Sequence, residues 1–146
     1  MGWRDSGEID KTQITLDSTL ESVDEAEAIA TREAKNMGFE EDEQGQIGMA
    51  VREWMVNAVV HGNRYSGKKK VHMEIERTKE SLTFVIGDEG EGFDPASVAD
   101  PLAPENLLRQ SGRGILLVRA FMDEFDIHPR PGGGTEARLV KHRANS

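Results

Sequence analysis

Residues 53–63 read EWMVNAVVHGN, and this stretch decides the fold of the chain. Its apolar residues, together with those just before it, predict a buried helix that ends at Gly62. Glu53, Asn57 and His61 follow one another at intervals of four residues, which places them on one face of that helix. Such a face is either the solvated side of an amphipathic helix or part of a site where a carboxylate serves as a base beside a carboxamide ligand.

A strand and a further helix are predicted before this central helix. Alternation of apolar and polar residues within 12–20 predicts the strand, and the helix covers residues 20–37. Residues 17–19 offer N-cap side chains, and Gly38 provides a C-terminal stop. The acidic residues 40–46 are either a connector or the first turn of the central helix. The predicted order therefore begins with one strand and two helices.

Four more strands and one more helix are predicted after the central helix. These elements are strands at residues 71–76, 82–86, 125–128 and 135–140, and a helix that opens at residues 111–114. The order β-α-α-β-β-α-β-β predicts an α+β fold, a two-layer α/β sandwich whose mixed, mostly antiparallel sheet has the helices on one face. We expect residues 1–10 to be a loose leader and residues 11–143 to form one domain.

The composition argues against several classes of protein. The chain has 146 residues, of which 36% are hydrophobic and 31% charged, a size and balance typical of one globular domain. Its formal net charge of −9 argues against nucleic-acid binding, which needs a basic surface. Without cysteine, neither a disulfide framework nor thiolate chemistry is available. The lack of a secretion signal and of a long apolar run predicts a cytoplasmic protein with no membrane contact.

Asp88 and the glycines after it form the first loop with the chemistry of a ligand site. Asp88 ends an apolar strand and is followed by Gly90 and Gly92. A carboxylate acceptor is thereby fixed where the backbone can approach a flat ligand closely. The same residues would also suit an ordinary turn, chosen only for its geometry.

Residues 111–114, Ser-Gly-Arg-Gly, stand directly before a predicted helix. The unpaired N–H groups and the dipole at a helix start favour phosphate, and Arg109 or Arg113 can supply positive charge. The alternative is a plain helix start after a flexible loop. The segment 98–113 is a candidate lid or a simple surface excursion. Thr135 begins the last strand and could direct its hydroxyl toward a ligand held by the acidic loop, unless it only belongs to a hairpin turn.

Taken in order, these motifs resemble the four boxes of the GHKL, or Bergerat-fold, ATPase superfamily. The boxes are Glu53-x3-Asn57, Asp88-x-Gly90-x-Gly92, Gly112-x-Gly114 and Gly134-Thr135, within residues 47–140. A finer pattern, Glu-x3-Asn-Ala-x2-His-Gly followed by Ser-Gly-x-Gly and Phe-Met-Asp-Glu, is similar to the anti-sigma-factor serine/threonine kinases of bacteria. The resemblance implies the Bergerat fold and a site for ATP and Mg²⁺.

The resemblance also implies a role for each matching residue. Glu53 would be the general base, and Asn57 would be a ligand of the Mg²⁺ that bridges the phosphates of ATP. The other matches would hold the nucleotide: Asp88 and Thr135 the adenine amino group, Gly90 and Gly92 the face of the base, and Arg109, Ser111, Gly112, Arg113 and Gly114 the phosphates.

The resemblance implies protein partners as well. In this family a homodimer holds a sigma factor inactive and phosphorylates a serine or threonine of a STAS-domain antagonist. The length of the chain and the lack of any histidine before His61 favour this branch over sensor histidine kinases. Two alternatives stay open: a non-catalytic module gated by nucleotide, and the separate ATPase half of a split histidine kinase. Asp24, Glu25 and Glu27 make the first helix acidic where basic character is expected, which leaves the identity of the partner open.

Overall fold

A computed structural model of the protein describes residues 9–90 and 114–143. Its strands and helices follow the predicted order, with one short π-helical turn added after the second helix. The elements are β1 (Asp10–Asp17), α1 (Leu20–Asn36), α2 (Glu41–Val56), the π turn (Asn57–Gly62), β2 (Lys70–Arg77), β3 (Ser81–Gly87), α3 (Gly114–Phe121), β4 (Glu124–Pro129) and β5 (Thr135–His142).

The five strands form one sheet in the order β1-β2-β3-β5-β4, and every neighbouring pair is antiparallel. Alternation along β2 buries Val71, Met73 and Ile75 on one face of the sheet, while His72 and Glu74 lie on the other. The register continues this division through β3 and β5, so one face of the sheet is apolar. The predicted two-layer α/β sandwich of the α+β class is confirmed.

The helices supply the other half of the hydrophobic core, and α2 packs against both α1 and α3. Ala26, Ala30 and Ala34 of α1 are fully buried, and these small side chains let α1 lie close to α2. Ile47 and Met55 of α2 are also fully buried, and truncation of such a side chain to alanine costs about 2–5 kcal/mol. Within the described residues, no helix is both long and apolar enough to cross a membrane.

The ends of the first two helices follow from their flanking residues. The hydroxyl of Thr19 accepts a hydrogen bond from the Ser22 N–H at 3.2 Å and caps α1. Just beyond the other end, Gly38 adopts a φ of +85°. The Glu43 carboxylate accepts from the N–H of Glu40 at 3.4 Å. The acidic segment is therefore the first turn of α2 and not a connector.

The first strand differs from its predicted range of residues 12–20. It begins earlier and ends at Asp17, which pairs with Lys70. The next residue, Ser18, is buried and donates its hydroxyl to the Lys69 carbonyl at 2.6 Å. This bond fixes the point where the chain leaves the sheet and enters α1. Residues 1–8 lie outside the described residues, so the loose leader stays a prediction.

The sequence predicts that the central helix is one regular helix as far as Gly62. The structure differs from this prediction. The α-helical part ends at Val56, and residues 57–62 form a π-helical turn. Short π segments inside helices are often found at functional sites. Within this turn Asn57 is buried whereas His61 is exposed. The two side chains therefore have different environments, although both belong to the same turn.

Candidate active site

The junction between α2 and the π turn contains the carboxylate and the carboxamide singled out in the sequence. Glu53 is half-buried in the last turn of α2, and Asn57 begins the π turn with an exposed fraction of 9%. Asn57 Oδ1 is buried without a hydrogen-bond partner, one of two such side-chain atoms among the described residues; the other is Trp54 Nε1. A buried carbonyl left unpaired costs about 1–3 kcal/mol. An unsatisfied buried polar atom in a folded protein needs a specific explanation, such as a bound ion.

An unpaired carboxamide oxygen is a suitable ligand for a hard cation. Mg²⁺ prefers oxygen donors and is usually bound by one or two protein groups together with water and substrate phosphates. A tryptophan N–H, as at Trp54, is a donor and cannot take that role. Asn57 therefore fits the Mg²⁺ that the sequence resemblance implies.

The start of α3 lies directly beside Glu53. A Cβ added to Gly114 would be 2.8 Å from Glu53 Oε2, so no larger residue fits there without moving the carboxylate. The start of a helix presents N–H groups that have no partner within the helix, and its dipole favours negative charge. The fold thus brings Gly114 of the predicted phosphate loop to the predicted base.

Asp88 lies at the end of β3 and is 2% exposed. Its Oδ1 accepts hydrogen bonds from the N–H groups of Gly90 at 2.9 Å and Thr135 at 3.2 Å. Burial raises the pKa of this carboxyl, and the two backbone N–H groups oppose that shift. Within the described residues, no hydrogen bond reaches Oδ2, which leaves that oxygen able to accept from a ligand. The contact of Thr135 with Asp88 is made by its backbone N–H, and the contact of its hydroxyl with a ligand stays a prediction.

Three glycines surround Asp88 so closely that side chains are excluded. A Cβ on Gly62 would overlap the Asp88 carboxylate, and a Cβ on Gly134 would overlap the Asp88 carbonyl. A Cβ on Gly90 would overlap the carbonyl of Gly62. The φ of Gly134 is +100°, which side-chain-bearing residues rarely adopt. The backbone of these glycines therefore packs directly against the Asp88 segment and holds it in place.

Sequence reasoning identified only part of this cluster. Gly62 is predicted to end a helix and belongs to the motif Glu-x3-Asn-Ala-x2-His-Gly, and Gly134 belongs to the motif Gly134-Thr135. Neither motif predicts that these two glycines lie against Asp88. The predicted residues Gly92, Arg109, Ser111, Gly112 and Arg113, and the lid at residues 98–113, lie outside the described residues.

Comparison with known proteins agrees with this geometry. Residues 16–141 match the family model of the histidine kinase-like ATPase domain. The chain belongs to this family. The match extends from β1 to β5 and so includes every element of the described site. Members of the family bind nucleotide, as the ATPase name states.

Among curated relatives, the chain is similar to anti-sigma F factors. It is 34% identical over 109 residues to those of Bacillus licheniformis and Bacillus subtilis, which covers 72% of this chain and 73% of theirs. It is 30% identical over 102 residues to that of Clostridium beijerinckii, which covers 68% of this chain and 71% of the relative. The predicted resemblance to GHKL ATPases of the anti-sigma-factor type is confirmed.

Proposed function

We propose that the protein is an ATP-dependent serine/threonine kinase that acts as an anti-sigma factor. It binds ATP with Mg²⁺, sequesters a sigma factor and phosphorylates a STAS-domain antagonist on serine or threonine. The observation that carries this proposal is the buried, unpaired Asn57 oxygen one helical turn after Glu53, whose carboxylate lies beside the start of α3. The protein works as a cytoplasmic homodimer whose single catalytic domain covers residues 11–143, without nucleic acid or membrane.

Asn57 holds the metal in this proposal. Its Oδ1 would be a protein ligand of Mg²⁺. The metal, when bound, would neutralise charge on the phosphates of ATP.

Glu53 acts as the general base. Its carboxylate takes the proton of the serine or threonine hydroxyl as the hydroxyl oxygen attacks the γ-phosphorus of ATP. The bond between the γ-phosphorus and the bridging oxygen breaks, and ADP leaves with the electron pair. The products are a phosphorylated antagonist, ADP and one proton, which Glu53 releases to solvent.

The adenine ring and the phosphates of ATP are bound at opposite ends of the site. Asp88 Oδ2 accepts a hydrogen bond from the 6-amino group of adenine, while Thr135 holds Oδ1 through its N–H. Gly90 and Gly92 let the ring lie close to the backbone. The phosphates are bound at the start of α3 by Ser111, Gly112, Arg113 and Gly114, with Arg109 adding charge under the lid.

Part of the acidic character of α1 is neutralised within the protein. Arg52 of α2 donates to Asp24 at 2.6 Å and to Glu27 at 2.9 Å, and these pairs raise the pKa of the guanidinium. Glu25 is exposed. Arg52 therefore offsets part of the acidic charge of α1, which lessens its departure from the basic character expected of this helix.

One experiment separates this function from its alternatives. The protein is incubated with a STAS-domain antagonist, Mg²⁺ and ATP radiolabelled at the γ-phosphate, and the product is treated with acid. We expect an acid-stable label on the antagonist and none when EDTA replaces Mg²⁺. Nucleotide binding without any label would indicate a non-catalytic module. An acid-labile label would indicate phosphohistidine and the ATPase half of a split histidine kinase.

A further inference from the structure

Asn63 is a buried polar residue that has no assigned role in the site, with an exposed fraction of 1%. Its Oδ1 accepts a hydrogen bond from the Glu89 N–H at 2.7 Å. Its Nδ2 donates to the Ser18 hydroxyl and to the Lys70 carbonyl, each at 2.9 Å. Because both ends of the carboxamide are bonded, the side chain has one fixed orientation.

The segment before Asn63 is the π turn. The N–H of Asn63 donates to the Ala58 carbonyl at 2.8 Å and closes the turn. That turn begins at Asn57 and ends at Gly62. Asn63 is therefore firmly attached to the segment that supplies the proposed metal ligand.

The segment on the other side of this carboxamide is the turn that follows β3. Glu89 lies between Asp88 and Gly90, and the Gly90 N–H bonds the Asp88 carboxylate at 2.9 Å. The Glu89 side chain is also held, since its Oε1 accepts from the Lys70 N–H at 3.2 Å and its Oε2 contacts His72 Nε2. A shift of the Glu89 backbone would move the neighbouring Asp88 carboxylate directly.

We propose that Asn63 is a positioning residue for base recognition. Its carboxamide fixes the turn at residues 88–90 against the π turn, so that Asp88 Oδ2 meets the 6-amino group of adenine. Asn63 thereby determines the preference for a 6-aminopurine over a 6-oxopurine, which presents an oxygen to the carboxylate at that position. This inference rests on the role proposed above for Asp88.

The test compares binding of ATP and ITP, which differ in the group at position 6 of the purine. Asn63→Ala removes the acceptor for the Glu89 N–H, and dissociation constants are measured by calorimetry with Mg²⁺ present. We expect the ATP-over-ITP preference to fall about tenfold, the effect of losing one well-placed hydrogen bond. If Asn63 only stabilises the fold, the substitution should raise the dissociation constants for ATP and ITP by the same factor.

Ser18→Ala is the matched control. It removes the bonds from Asn63 Nδ2 to Ser18 and from Ser18 to the Lys69 carbonyl. It leaves the bond between Asn63 Oδ1 and Glu89 in place. We expect this variant to have a lower Tm and an unchanged ATP-over-ITP preference.

Two results would overturn the inference in distinguishable ways. If Asn63→Ala keeps the wild-type preference for ATP over ITP, Asn63 does not position the site for base recognition. The proposed function is then unaffected. If the wild-type protein binds ATP and ITP with equal dissociation constants, Asp88 does not recognise the 6-amino group of adenine either. If Asn63→Ala does not fold, Asn63→Ser replaces it, since its shorter side chain keeps a polar group but cannot reach Glu89; the same loss of preference is expected.

Discussion

Gly114 lies against Glu53 so closely that a Cβ at position 114 would be 2.8 Å from the Glu53 Oε2 atom. Because that oxygen is at the end of a flexible side chain, an added methyl group would displace the carboxylate and not the backbone. The first residue of α3 thus limits where the proposed base can lie. The contact joins the helix that carries the proposed base to the helix that follows the phosphate loop.

Gly114→Ala is therefore expected to impair phosphotransfer more than nucleotide binding. We expect kcat to fall about 10- to 100-fold, as for a small misplacement of a reacting group, with little change in the Kd for ATP. Gly45→Ala is the control, because Gly45 is in α2 and nothing lies within 4 Å of a Cβ there. Steady-state kinetics with the antagonist check the prediction. Unchanged kcat in Gly114→Ala would show that the contact does not position Glu53.

Asp88→Asn is expected to stabilise the fold while it weakens ATP binding. Burial raises the pKa of Asp88, so the folded protein binds this proton more tightly than the unfolded chain does. The ionised group therefore lowers stability at neutral pH, and this loss diminishes as the pH falls through the raised pKa. We expect a gain on the order of 1 kcal/mol at pH 7.

Thermal unfolding, measured between neutral and acidic pH, tests whether the ionised Asp88 carboxylate lowers the stability of the fold. The Tm difference between Asp88→Asn and the wild type should narrow as the pH falls, because the wild-type carboxyl then becomes neutral. The Kd of the wild type for ATP should rise over the same range. A Tm difference that grows toward acidic pH would contradict the account.

Asn57→Leu is expected to remove the dependence of ATP binding on Mg²⁺. The substitution replaces a buried oxygen that has no partner within the described residues. Since the penalty for that unpaired group disappears, the free energy of unfolding should rise by about 1 kcal/mol. The Kd for ATP is measured with Mg²⁺ and with EDTA in the wild type and the variant. If the Kd of Asn57→Leu for ATP still depends on Mg²⁺, Asn57 is not the ligand of the metal.

Gly90→Ala is expected to disrupt both the fold and the site. Its Cβ would overlap the Gly62 carbonyl, and neither backbone can move away cheaply. We expect a loss of about 2 kcal/mol in stability, within the usual range for steric substitutions, together with loss of ATP binding. Gly67→Ala is the control, because nothing lies within 4 Å of a Cβ there. Similar denaturation midpoints for the two variants would argue against the close packing around Asp88.

The sequence was sufficient to predict the helices and strands of the described residues and their order. Alternation in β2 predicts its buried face, and Thr19 and Gly38 predict the ends of α1 through local chemistry. These signals are local, so they do not depend on how the chain folds back on itself.

The features that were not predicted depend on distant contacts. The pattern in EWMVNAVVHGN suits an α-helix, and nothing in it reports the change to a π turn at Asn57. Asn63 reads as an ordinary turn residue, because its partner Ser18 is 45 positions away. The role of Gly62 is visible only when Asp88 and Gly90 are placed beside it.

The most direct test of the proposed kinase is the comparison of Glu53→Gln with the wild type. The variant keeps the size of the side chain and removes its basicity. We expect an ATP dissociation constant within about twofold of the wild-type value, and a rate of phosphate transfer to the STAS-domain antagonist lower by a factor of about 10²–10⁴. Transfer at the wild-type rate by Glu53→Gln would contradict the assignment of Glu53 as the base.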